Sequence, residues 1–434
     1  MRSTFAALRI RNYRLFATGS LVSNVGTWMQ RVAQDWLVLA LTGSAGALGL
    51  TTGLQFLPIV LFSPFAGVIA DRYAKRQVLM VTQVAMGAAA ALLGVLAITG
   101  LVQPWHIYVL AFVFGSAAAF DTPTRQAFVN EMVSGDDLPN AIGLNSASFN
   151  LARMIGPAAA GVLIAWMGSG VGATGWVILL NAASYAAVIV SLTQMRSDEL
   201  APTERVPRAK GQLRDGLRYV GSRPDLMLVM AIVFCAGTFG LNFQMTTVLM
   251  ATEVYDKGAG EYGVLGSILA VGSLTGSLVA ARRRESRQRR IVLAAIAFGM
   301  MVTIAGLMPN YLMFALALPL TGFAALTLIT SANAFVQMST APQMRGRVMA
   351  LYMAIFMGGT PIGAPLLGVI AEHFGARWTL VGGGLLTIGG SLVAAGLYAR
   401  HQGVVLTPRL RPRPGLEIAI RRVDESVDEG AVAA

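Results

Sequence analysis

The sequence predicts an all-α polytopic membrane protein, with twelve transmembrane helices in two six-helix pseudo-repeats and both termini in the cytoplasm. Three observations carry this expectation: a composition too apolar for water, twelve apolar runs long enough to cross a bilayer, and basic residues that crowd alternate loops. Of 434 residues, 55% are hydrophobic and 12% charged, about half the charge share of a soluble domain. The apolar runs fall at about 14 to 41, 45 to 70, 77 to 100, 105 to 121, 142 to 167 and 174 to 193. A second set falls at about 226 to 251, 260 to 281, 291 to 308, 311 to 337, 346 to 372 and 378 to 399. Each is near the roughly 20 residues that cross a hydrocarbon core. The breaks carry Gly, Pro or charge, as in Thr42-Gly43-Ser44, Gln103-Pro104 and Pro309-Asn310.

The first 13 residues are polar and basic. The apolar stretch behind them is too long for a signal-peptide core and has no small-residue cleavage site, so it reads as the first span. With the amino terminus in the cytoplasm, 29 of the 33 Lys and Arg residues fall in the arm, the tail and the loops on that side. Lys257 and Arg377 fall on the other side, and Arg31 and Arg153 within spans. This is the positive-inside pattern of a cell (inner/plasma) membrane protein. The net charge of +12 is therefore a topological and lipid-headgroup signal; no nucleic-acid partner is expected, and nucleic-acid binding is a remote alternative.

The chain divides into an N-terminal six-helix bundle (1–193), a cytoplasmic linker (194–225), a C-terminal six-helix bundle (226–399) and a cytoplasmic tail (400–434). The linker is charged and carries Pro202, Pro207 and Pro224. The tail has the composition of a disordered segment. A shift of 207 residues lays Ala127-Phe128-Val129 on Ala334-Phe335-Val336, Gly156 on Gly363, Gly161-Val162 on Gly368-Val369 and Gly168 on Gly375. Two parallel six-helix repeats produce such an offset, and chance matching in Gly/Ala-rich helices is the alternative.

After the second span comes Gly67-Val68-Ile69-Ala70-Asp71-Arg72-Tyr73-Ala74-Lys75-Arg76. Gly67 permits close helix packing, and an acid and a basic cluster follow at the membrane edge. Asp71 can meet a helix amino terminus or an Arg of the opposite half, a contact able to form in one state and break in another. An ordinary basic turn is the alternative. Here the sequence closely resembles the major facilitator superfamily, whose signature between spans 2 and 3 is Gly-x-x-x-Asp-Arg-x-Gly-Arg/Lys-Arg/Lys. The chain departs at Ala74, and the equivalent Gly276 to Arg282 stretch has lost its acid, so a latch built here is asymmetric.

Span 5 reads Ala152-Arg153-Met154-Ile155-Gly156-Pro157-Ala158-Ala159-Ala160-Gly161. It is similar to the Gly-x-x-x-Gly-Pro-x-x-Gly-Gly pattern that accompanies exporters and antiporters in this superfamily, with Ala in place of two glycines. Small residues allow close packing and the proline allows a bend, which on its own account could be purely structural. The stretch from Asn24 to Trp36, with Pro123-Thr124-Arg125-Gln126-Ala127-Phe128, narrows the resemblance to the enterobactin-exporter-like, or transmembrane secretion effector, branch over residues 5 to 400.

That resemblance implies the major facilitator fold and a secondary active transporter: a proton-coupled exporter of a siderophore, drug or secondary metabolite, working by alternating access. It implies a monomer whose partners are a small-molecule substrate, protons and membrane lipid, with no cofactor. Lipid or lysophospholipid translocation, or uptake, is the alternative, and a non-transporting receptor a remoter one. Nothing in the chain forms a catalytic constellation, so an enzyme is not expected.

On residues alone, the first span is unusual. Asn24, Trp28, Arg31 and Asp35 are spaced 4, 3 and 4 and share one helical face, with Thr27 and Gln34 at its margin. Such a face avoids lipid, and ionisable residues within a span mark function by default. Asp35 is the expected proton-coupling carboxylate of a central cavity, Arg31 its tuning partner at i, i+4, and Trp28 a stacking surface. A permanent Arg31–Asp35 ion pair near the outer mouth is the alternative. Asn145, Asn150, Arg153, Asn242 and Asn333 are further candidates for substrate or proton contact. With Gln55, Gln83, Asn181, Gln244 and Gln337 they are in-span polar groups, each of which alone more often makes an interhelical hydrogen bond.

Other signals are rejected. Gly258-Ala259-Gly260-Glu261-Tyr262-Gly263 formally matches a dinucleotide fingerprint but follows a membrane span, in what reads as an outer loop. His106, His373 and His401 have no metal-ligand spacing, and no phosphate-binding loop is present to couple the chain to its own ATP hydrolysis. Cys235 lies inside an apolar run and reads as a small buried residue.

Overall fold

Inside a bilayer a single segment satisfies its backbone hydrogen bonds only as a helix, and the long apolar runs have become helices. The computed structural model describes residues 5–201, 212–281 and 288–402, apart from the side chains of 64, 68, 70, 71, 212 and 213. The first half comprises α1 (Arg11–Thr42), α2 (Ala45–Arg72), α3 (Lys75–Ile98), α4 (Pro104–Met132), α5 (Leu138–Trp166) and α6 (Val171–Thr193). A connecting helix α7 (Gln212–Gly221) lies in the segment expected to be a plain linker. The second half comprises α8 (Pro224–Cys235), α9 (Phe243–Leu249), α10 (Ala259–Ala281), α11 (Gln288–Gly306), α12 (Tyr311–Ser339), α13 (Arg345–Phe374) and α14 (Arg377–His401). The expected tail falls almost wholly outside the described residues.

Among the described residues, eleven helices are long and apolar enough to cross a membrane, the run Pro224–Val254 counting as one. The 32-residue α1 is long enough, but Gln30, Arg31, Gln34 and Asp35 lower its hydropathy. The Pro224–Val254 run is broken by two turns of π-helix, Ala236–Gly240 and Met250–Val254, on either side of α9. Such bulges re-aim side chains within a span.

The two halves repeat one packing scheme. In the first, α3 lies on α6, α2 on α4, and α1 on both α5 and α6; in the second, α11 lies on α14, α10 on α12, and the broken span on both α13 and α14. The residues aligned by the 207-residue shift agree in detail. Gly168 and Gly375, just past α5 and at the end of α13, have φ of +91° and +90°, the left-handed region that closes a helix and favours glycine. Trp105, Trp166, Trp176 and Trp378, each more than half exposed, cluster at the end of the bundle away from the chain termini, as an aromatic girdle does at a membrane interface.

One span differs from its expected length. Helix α4 runs to Met132 instead of ending near 121. Asp121, which looks like a span breaker, is satisfied within the bundle: its carboxylate accepts from Thr82 Oγ1 at 2.9 Å and Gln83 Nε2 at 2.7 Å. It also pairs with Arg125 Nε at 3.1 Å, and Arg125 Nη1 reaches Ser20 Oγ at 2.8 Å. Charge paired this way need not leave the membrane.

The halves meet along two seams, α2 on α13 and α5 on α10, and both seams are lined by glycine. Gly49 lies against the backbone of Ala364 and Pro365, and Gly368 against that of Ala45 and Gly46. Their counterparts are Gly263 against Pro157 and Gly161, and Gly161 against Ala259 and Gly260. All these contacts lie in the half of the membrane far from the termini.

Toward the termini the halves separate. On α5 one face runs through Ser146 and Phe149, both exposed, then half-buried Arg153, then buried Gly156 and Ala160. The matching face of α13 passes from exposed Met353 through half-buried Phe356 and Thr360 to buried Gly363 and Leu367. The contacts that join the halves are thus gathered at the end far from the termini.

Candidate functional site

Helix α1 sits close to its neighbours because small residues line its back. Gly19 and Gly26 face Ser191 and Ser184 of α6, and Gly156 of α5 packs on Trp28 Cβ and the Val25 carbonyl. The α1–α6 contact is tied by Asn181 Nδ2 donating to Gln30 Oε1 at 2.5 Å and by Thr27 and Tyr185 hydroxyls at 3.1 Å. Gln34 Nε2 donates to Gln55 Oε1 on α2 at 3.0 Å. Asn181, Gln55 and Gln83 are thus interhelical bonds, as the commoner fate of in-span amides predicts.

Of the expected face of α1, Asp35 reaches the other half while Trp28 and Arg31 lie against α5 and α2 of their own half, and the two charges form no ion pair. Arg31 lies over the Trp28 ring at 4.7 Å and the Phe56 ring at 5.6 Å, and its buried Nε has no hydrogen-bond partner. Asp35, 2% exposed, accepts a hydrogen bond from Tyr262 Oη at 2.8 Å, a link between residues 227 apart. Tyr262 also lies 3.3 Å from the Gln244 carbonyl. In this state Asp35 therefore belongs to the contact that joins the halves.

Trp28 meets Phe149 edge-on at 5.9 Å. Asn24 and Asn145 are half-buried, as are Asn150, which donates to the Ser146 carbonyl, and Arg153, whose Nε is buried without a partner. Asn242 sits in the break between α8 and α9 and donates to the Thr238 carbonyl at 2.7 Å, leaving its Oδ1 buried and unpaired. Asn333 accepts from Gln337 on its own helix at 2.5 Å, so it remains local.

In the motif after α2, Gly67 is half-buried and Arg72 exposed, and the Asp71 side chain lies outside the described residues. The two basic residues bind their own half. Lys75 Nζ pairs with Glu131 Oε1 at 2.5 Å, with both side chains at most 10% exposed. Arg76 donates to Ser197 Oγ at 2.6 Å and to the Thr193 carbonyl at 3.2 Å. Replacing Lys75 with Met strands the Glu131 charge, at an expected cost of about 3–5 kcal/mol that lowers the melting temperature in detergent. The swap Lys75→Glu with Glu131→Lys should recover much of the loss; unchanged melting of Lys75→Met would show that water already solvates Glu131.

Three contributors escape sequence reasoning. Tyr262 lies in the stretch set aside as a false dinucleotide motif, which is the first turn of α10 and not an outer loop. Its glycines make the α5–α10 seam. Ser267 Oγ accepts from the Ala158 amide just beyond Pro157, at 3.1 Å. Glu372, at the far end of α13, accepts from Ser44 Oγ at 2.5 Å and the Gly46 amide at 3.0 Å. It thereby caps the amino terminus of α2 from the other half, a placement favoured by the helix dipole.

Known proteins share this architecture. The chain is similar to the multidrug efflux pump Tap of Mycolicibacterium fortuitum, 29% identical over 92% of this chain and 95% of that one. It is also similar to the staphyloferrin A transporter of Staphylococcus aureus, 24% identical over 86% and 93%, and to macrolide efflux protein A of Streptococcus pyogenes, 22% identical over 87% and 94%. Among solved structures, the nucleoside transporter NupG superposes with a TM-score of 0.68 at 12% identity, covering 92% of this chain and 99% of that one. A bacterial homologue of the human lysosomal transporter Spinster, in an inward-facing and unoccupied conformation, superposes with a TM-score of 0.66 at 16% identity, covering 90% and 96%. The family described as transmembrane secretion effector matches residues 2–417. The chain is therefore a multi-pass cell-membrane transporter, not an enzyme, and belongs to the transmembrane secretion effector family of the major facilitator superfamily.

Proposed function

We propose that the protein is a proton-coupled exporter of small organic molecules that works by alternating access as a monomer in lipid, with residues 1–193 and 226–399 rocking as two units. The observation that carries this is the pair of glycine seams and the Asp35–Tyr262 bond, which join the halves at one end; the chamber they would close, open at the other end, is part of the proposal. Bistable seams of this kind are what a rocking transporter needs. The termini are assigned to the cytoplasm on the Lys/Arg distribution, so the conformation described is open inward. Relatives named as efflux pumps favour export over uptake.

Asp35 is the proposed proton carrier. It is a buried acid whose partner lies on the other half, so its protonation would be felt by the seal. The siderophore, drug and secondary-metabolite classes remain the proposed cargo, and metabolite comparison of a deletion strain with its parent selects among them. The coupling is tested in everted vesicles, where candidate solutes should accumulate when a proton gradient is imposed. Accumulation indifferent to that gradient would defeat the proposed coupling.

A further inference from the structure

We infer that the chamber contains a binding site for organic anions bearing a flat, aromatic-like face, formed by Arg31 and Arg153 with Trp28, Phe56 and Phe149. The inference rests on the transporter reading and names the substrate class of its chamber. It begins from an imbalance. Three other basic groups at or within the first half's spans have partners fixed by the chain: Lys75 has Glu131, Arg125 has Asp121, and Arg76 has Ser197 and the Thr193 carbonyl. Arg31 and Arg153 have no carboxylate within ion-pair distance among the described residues, and each has a buried Nε without a partner. The acids that could serve them are engaged elsewhere, Asp35 by Tyr262 and Asp121 by Thr82, Gln83 and Arg125.

Two guanidinium groups with no carboxylate at ion-pair distance are costly inside a span. A chain that gives Lys75, Arg125 and Arg76 fixed partners yet leaves these two open has left their counter-charge to a ligand. The geometry describes that ligand. Arg153 shares a helix face with Phe149 one turn below and Gly156 one turn above, and Gly156 packs on Trp28 while Phe149 meets the Trp28 ring. Both arginines therefore border the α1–α5 seam, where the α5 face changes from exposed to buried.

A guanidinium fork binds carboxylate, sulfonate or phosphate oxygens in pairs. The Trp28, Phe56 and Phe149 rings offer flat apolar surface beside it. Inorganic phosphate would use the charge and waste the rings, whereas an aromatic cation would meet two like charges.

The test uses the full chain in phosphatidylcholine nanodiscs, with binding of fluorescein read by polarisation against empty discs. Saturable binding is expected, weakened about tenfold by Arg31→Gln or Arg153→Gln, less by either Arg→Lys change, and weakened also by Trp28→Ala. A variant-free arm compares salicylate with benzylamine as competitors, and salicylate alone should displace the dye. The inference is overturned if the two Gln variants bind as wild type, or if benzylamine competes as well as salicylate. It is equally overturned if inorganic phosphate displaces the dye as effectively as salicylate, or if phosphatidylglycerol in the disc abolishes dye binding, which would assign the charge to a free anion or a lipid headgroup. Vesicle transport is read separately: intact anion binding without gradient-driven accumulation would sink the coupled-transport reading and leave the site standing.

Discussion

Asp35→Asn is expected to abolish proton-driven accumulation while leaving substrate exchange across the membrane intact. The asparagine carbonyl can still accept the Tyr262 hydroxyl bond that Asp35 accepts now at 2.8 Å, so the seal and the fold should survive. What disappears is a group that can take up and release a proton. Coupling free energies between two sites are about 1–3 kcal/mol, which sets the expected loss at roughly 5- to 150-fold in accumulation ratio. Tyr262→Phe provides the contrast. It keeps the titratable carboxylate but removes a bond to a charged group worth about 1.5–3 kcal/mol, so the sealed state should be depleted while coupling persists at reduced efficiency. If Asp35→Asn accumulates solute as well as wild type under an imposed gradient, Asp35 is a structural residue of the seal and the proton travels elsewhere.

Features legible in the sequence are those that local chemistry dictates. Helix positions follow from apolar run length, and the 207-residue offset yields helix ends with nearly identical backbone geometry at Gly168 and Gly375. Periodicity alone fixes which residues share the polar face of α1. Partners are a different matter. The i, i+4 spacing makes Arg31 the natural mate of Asp35, yet Arg31 lies on two aromatic rings and Asp35 bonds to Tyr262.

No local pattern announces a contact between residues 227 apart, or the one between Ser44 and Glu372, 328 apart. Span 4 fails for a related reason. Asp121 reads as an ending because its satisfying groups, Thr82, Gln83 and Ser20 by way of Arg125, come from two other helices. The Gly258 to Gly263 stretch carries a real signal that its neighbours explain: Gly263 is needed for close helix approach and not for phosphate.

Gly49→Leu and Gly263→Leu should both unseat the seal, although they lie in different seams. A Cβ at either glycine would collide with backbone, that of Ala364 in one case and of Pro157 and Gly161 in the other. Neither neighbour can rotate away as a side chain would. Overpacking of this kind costs about 1–3 kcal/mol, enough to shift a two-state equilibrium roughly 5- to 150-fold away from the sealed conformation. Gly143→Leu is the control, since a Cβ there meets nothing within 4 Å.

The measurement is cross-linking by a short bifunctional maleimide of cysteines at Ser44 and Glu372, whose side chains touch across the α2–α13 seam, in a Cys235→Ser background. Cross-linking should be fast in the parent and in Gly143→Leu, and slower in Gly49→Leu, which disturbs the same seam. The decisive case is Gly263→Leu, which disturbs the α5–α10 seam and touches neither cysteine. If the halves rock as rigid units, opening one seam opens both, and cross-linking must slow there as well. Unchanged cross-linking in Gly263→Leu would mean that the two seams yield independently, and rigid rocking of 1–193 against 226–399 would have to be abandoned.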